Sequence, residues 1–80
     1  MAVELTSYVK QSADKPKEYQ IACFADEKAD VAPGMVIKNL PSDWVIQPGS
    51  TIVTADGEVA FYKSNNKWHF VGEEEDIDVG

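Results

Sequence analysis

Two turn dipeptides constrain this chain most. Asp56-Gly57 and Asn65-Asn66 divide residues 51–71 into three short runs: Thr51-Ile52-Val53-Thr54-Ala55, Glu58-Val59-Ala60-Phe61-Tyr62-Lys63 and Lys67-Trp68-His69-Phe70-Val71. The runs are β-branched and aromatic, the types that suit a pleated surface. Asp-Gly tolerates the positive φ angles of a type I′ hairpin. The spacing predicts a three-stranded antiparallel meander. With two-residue loops, Ile52 pairs with Phe61, Phe61 with Phe70 and Lys63 with Trp68. Directly opposed residues share a face. Ile52, Val59, Phe61, Trp68 and Phe70 are therefore expected on one face, and Val53, Ala60, Tyr62, His69 and Val71 on the other. The first set holds the larger apolar residues of the last two strands, which makes it the expected core, with Trp68 buried in it.

The N-terminal half reads less sharply. Val3, Leu5, Ser7 and Val9 alternate with Glu4, Thr6, Tyr8 and Lys10, which is strand period, although Leu5, Tyr8 and Val9 also fit a short helix. Valine and tyrosine favour the strand. Ser12 to Lys17 is polar, contains Pro16 and reads as a loop. Glu18 to Phe24 reads as a strand with Tyr19, Ile21 and Cys23 on one face. Asp26 to Asp30 is charged and fits one helical turn or a loop. Val31-Ala32-Pro33-Gly34-Met35-Val36-Ile37 and Ile46-Gln47-Pro48-Gly49-Ser50-Thr51-Ile52 share a central Pro-Gly, which suits a type II turn launching a strand. The expected fold is all-β: a small single-domain barrel or curled antiparallel sheet of about five strands, ending in the meander.

Eighty residues make one small domain with a thin core. The chain has 7 basic and 14 acidic residues and a net charge of −7. Glu73, Glu74, Glu75, Asp76 and Asp78 lie in the last eight residues, so the acidity is concentrated there. The expected organisation is a β domain over 1–72 and an acidic, flexible, unpacked tail over 73–80. All the basic residues are lysines. A chain without arginine lacks the usual bidentate reader of phosphate and guanine, which disfavours nucleic-acid binding. No run approaches the ~20 apolar residues of a membrane helix, and no charged-then-apolar leader opens the chain. The reading is a cytoplasmic protein with no membrane partner.

No residue set spells out a reaction, so the chain is read as non-enzymatic. Cys23 stands alone and has no disulfide partner. His69 is the single histidine, and no oxyanion-type turn or helix start supports a Cys23–His69 dyad. One cysteine and one histidine cannot complete the usual zinc site. Asp26-Glu27-Lys28-Ala29-Asp30 lacks the glycine-centred spacing of a calcium loop. Single Pro-Gly turns are not phosphate cradles. Neither a metal nor a cofactor is expected. The aromatic residues are expected to form the core, leaving a second sheet face that awaits a partner. On that face Val53, Tyr62, His69 and Val71 are the candidate partner-binding residues, for another protein or for self-association.

The stretch from Pro48 to Tyr62, with Asn66-Lys67-Trp68, resembles a pattern of small bacteriophage and prophage virion-associated proteins, of the head-fibre-like or morphogenesis kind. In that pattern a Pro-Gly-Ser turn opens a strand, an acid-Gly turn closes a hairpin, an aromatic pair follows, and a turn ending in tryptophan finishes the meander. The resemblance is confined to this C-terminal stretch. It implies a structural module, oligomeric or assembly-associated, located in the host cell or the virion, that works by protein–protein contact and carries no catalytic residue. The alternative reading is an acidic inhibitor or mimic that occupies a basic site on a host protein.

Overall fold

The computed structural model describes residues 3–12 and 14–78. Nearly all of it is sheet. The strands are β1 (Val3–Ser12), β2 (Lys15–Ala25), β3 (Ile37–Lys38), β4 (Val45–Ile46), β5 (Thr51–Thr54), β6 (Val59–Tyr62) and β7 (Trp68–Phe70), with a 3₁₀ turn at Lys28–Asp30. They form one mixed sheet in the order β3-β1-β2-β5-β6-β7, with β4 also on β2. The mainly-β expectation holds, with seven strands instead of about five and no closure into a barrel.

The antiparallel expectation is corrected. The β1–β2 hairpin and the β5–β6–β7 meander are antiparallel, but β1–β3, β2–β4 and β2–β5 are parallel. Residues 26–50 supply the long connection that a parallel neighbour requires. The N-terminal segment is a strand, as its valine and tyrosine favour. It runs further than expected: Ser12 pairs with Lys15, so the polar stretch is a tight hairpin, and Pro16 falls near the start of β2, where proline is tolerated. The eleven residues of β2, at about 3.3 Å each, account for nearly all of the 36 Å long axis.

The core lies on one face, here called inner, beneath the 26–50 connection. Val3, Ile21, Cys23, Ala25, Ile52, Ala60, Trp68 and Phe70 are buried there with Val31. Met35, Ile37, Leu40, Trp44 and Ile46 pack on them from the connection. Both Pro-Gly turns form as expected. Met35 N–H donates to Ala32 C=O and Ser50 N–H to Gln47 C=O, with Gly34 and Gly49 at φ 85° and 97°.

The meander forms, but its register differs by one residue at each hairpin. Ile52 pairs with Ala60, and Ala60 with Phe70; Tyr62 pairs with Trp68. The cause is loop length. Thr54 N–H donates to Glu58 C=O while Gly57 N–H returns to Thr54 C=O, so the first loop has three residues and Gly57 takes φ 91°. Lys63, Lys67 and Asn66 repeat this geometry, with Asn66 at φ 66°. Each is a type I turn closed by a left-handed residue, the other common hairpin solution. The two slips cancel for β7 but not for β6. Trp68, Phe70 and Ile52 therefore share the core face as expected, whereas Val59 and Phe61 leave it and Ala60 and Tyr62 enter.

Part of the acidic segment also departs from expectation, because Asp76 and Ile77 pack on the body while Glu73, Glu74, Glu75 and Asp78 stay exposed. Ile77 forms an antiparallel bridge with Trp68, donating to its carbonyl at 2.7 Å and accepting from its N–H at 3.0 Å. Its side chain reaches the core. The reason is complementarity: Ile77 covers the free edge of β7, while Asp76 meets the cation Lys63 at 3.1 Å. Residues 79–80 lie outside the described residues.

Candidate interaction face

The outer face of β2, β5, β6 and β7 carries two cross-strand rows. Cross-strand pairing places Phe24, Val53, Val59 and Val71 side by side. The next row is Ala22, Thr51, Phe61 and His69. Alternation along each strand dictates this, since Ile21, Cys23, Ile52, Ala60, Trp68 and Phe70 point inward. Phe24, Val53, Val59, Phe61 and Val71 are all exposed, from 37% for Val59 and Phe61 to 62% for Val71. None of the eight residues is Asp, Glu or Lys, in a chain that is 26% charged. Nothing among the described residues covers this face.

Of the four candidate residues read from the sequence, Val53, His69 and Val71 lie together here. Tyr62 does not. The three-residue loops turn it inward, edge-on to Trp68 with ring centroids 5.0 Å apart, and burial pushes its hydroxyl pKa up, with a further push from Asp78. Phe24, Val59 and Phe61 were missed. Their signal was available in alternate uncharged positions on adjoining strands, but it required the loop length.

His69 sits at the rim. Its ring is 5.5 Å from that of Phe61, and Nδ1 lies 2.7 Å from Asp76 Oδ1. Asn65 Nδ2 donates to the same carboxylate at 2.9 Å. The Asn65 amide, the His69 ring and the Lys63 ammonium hold the Asp76 carboxyl down at about 2. Cys23 lies on the opposite, inner face, where burial pushes its thiol up to about 12. The fold therefore does not bring Cys23 and His69 together.

A second feature is an open hollow of about 880 Å³ on the 26–31 side of the sheet. Phe70 and Val31 form its apolar floor, and Asp26, Glu27, Asp56, Glu73, Glu75 and Asp76 stand around it. Lys28 partly neutralises them, with Nζ 3.2 Å from Glu73 and 5.1 Å from the centre of the Phe70 ring. No three of these or other His, Cys, Asp or Glu side chains among the described residues are grouped so as to hold a metal ion. At the far end of the long hairpin, Trp44 stacks on Tyr19 at 3.7 Å and Tyr8 meets both edge-on, closing the core. No described helix is long and apolar enough to cross a membrane. Comparison with protein families, with curated proteins and with solved structures finds no match for this chain.

Proposed function

We propose that this chain is a structural contact module of a phage or prophage, associated with the virion or its assembly, that acts by protein–protein contact and not by catalysis. The observation that carries the contact reading is the uncharged outer face, which presents five exposed apolar side chains in register across four strands. Contiguous patches of this kind mark interaction surfaces, whereas scattered exposed apolar residues do not. The virion assignment rests on the resemblance of residues 48–62 and 66–68, which implies a location in the host cytoplasm or in the particle. The double substitution Phe61→Ser with Val71→Ser tests the reading. It should leave cooperative melting intact and exclude the protein from particles assembled in its own host. Normal incorporation of the folded variant would count against it.

The acidic hollow favours a second reading, in which a basic site on a host protein is the target. Six carboxylates around the hollow suit a lysine-rich segment. Binding of oligolysine should then fall steeply with added salt, and Glu73→Gln with Glu75→Gln should weaken it. Salt-independent binding, or none, would remove this reading.

A further inference from the structure

We propose that the outer face is covered by a second copy of this chain, in a two-fold dimer whose axis runs parallel to the strands between β5 and β6. This rests on the contact reading above and names its partner. Charge selects the occupant first. Two copies that each carry −7 repel wherever their carboxylates meet. The eight-residue array is a place where they can meet with their carboxylates kept to its edges, Asp76 on His69 at one side and Glu4 beside Phe24 at the other. A basic partner would find no carboxylate within the array to pair with. Its natural complement is another uncharged apolar sheet face, which the chain itself supplies.

Shape selects the axis. The rotation lays β2 over the partner's β7 and β5 over the partner's β6. Phe24 then faces Val71, Val53 faces Val59, Thr51 faces Phe61 and Ala22 faces His69. Each aromatic ring meets a smaller residue, so the rows interdigitate at the ~10 Å separation of stacked sheets. Four strands at about 4.8 Å spacing make a patch roughly 20 Å across. Its apolar area, on the order of 400 Å² per copy, is below the ~800 Å² of a standard interface. The dimer is accordingly weak and concentration-dependent.

Sedimentation equilibrium of the full chain, from about 10 µM to about 1 mM, tests the proposal. The mass should rise from 8.8 kDa toward twice that value. Val53→Lys and Val59→Glu, both at exposed positions, should each keep a cooperative melt yet stay monomeric. Mixed in equal amounts they should dimerise again, because the proposed axis sets Lys at 53 against Glu at 59. A mixture that stays monomeric overturns the axis. A dimer unaffected by either substitution overturns the use of this face, and the contact reading with it. A wild-type chain that stays at 8.8 kDa throughout overturns the second copy alone, since particle incorporation then tests the contact reading independently.

Discussion

Ser50 replaces a strand backbone at the one point where β2 changes partner. β2 pairs with β4 at Glu18 and Tyr19, then with β5 from Ala22 onward. Between these rungs the Gln47–Ser50 turn bulges away from the ladder. The buried Ser50 hydroxyl accepts from Ile21 N–H at 2.9 Å and donates to Gln47 C=O at 2.7 Å. Gln20 closes the other side, donating to Pro48 C=O at 3.0 Å. Glycine suits position 49 because its φ is left-handed, and a Cβ there would also displace the Gln20 amide, 2.8 Å away. Ser50→Ala strands a buried backbone donor and is expected to cost about 1–3 kcal/mol in urea unfolding. Cys23 is the other residue whose environment decides its behaviour. With its thiol near 12 and no exposure to speak of, it should resist disulfide reagents at pH 8 and react only as fast as the protein opens. Fast labelling of the native protein would contradict its burial.

At the scale of elements, the hairpins explain what could be read from the chain and what could not. The strands of the meander were legible because their composition alternates with turn residues. The loop length was not, because Asp-Gly serves both a two-residue loop and the left-handed end of a three-residue one. Size misled as well. Ala60 sits between Ile52 and Phe70, which fill the space that Phe61 was expected to occupy. Three of the four candidate contact residues share the outer face as expected, because they lie on β5 and at the β7 end, where the slips cancel or do not act. The parallel pairings were illegible, since β3 and β4 have two residues each and show no period. Asn66→Gly should be nearly neutral, whereas Asn66→Val should cost about 1–2 kcal/mol, as β-branched residues do in the left-handed region. The C-terminal segment predicts a pH dependence. The Asp76 carboxyl is held down at about 2 in the folded protein against about 3.9 when unfolded, so its contribution is complete above about pH 5 and fades as pH falls toward 2. Asp76→Asn should flatten that part of the stability–pH curve, and an unchanged acid limb would show that the clamp does not form.

The whole molecule rests on one wall of side chains, and Trp68 is its largest buried member. Trp68→Ala should cost about 3–5 kcal/mol. An 80-residue domain holds only about 4–12 kcal/mol, so the variant should lose most of its cooperative melt. The arrangement of the sheet also bears on how the chain assembles in time. The β1–β2 hairpin and the meander each pair with sequence neighbours, and both can form early. They meet along a single parallel seam, where Ala22–Ala25 join Thr51–Thr54. Bringing that seam together requires closing the whole 26–50 connection before any contact rewards it. Seam formation is therefore the step expected to limit the folding rate. Ile52→Val, at the seam, should slow refolding nearly in proportion to its loss of stability. Until the seam closes, both halves expose bare strand edges, so the rate of this one step sets how long the nascent chain is open to misassociation.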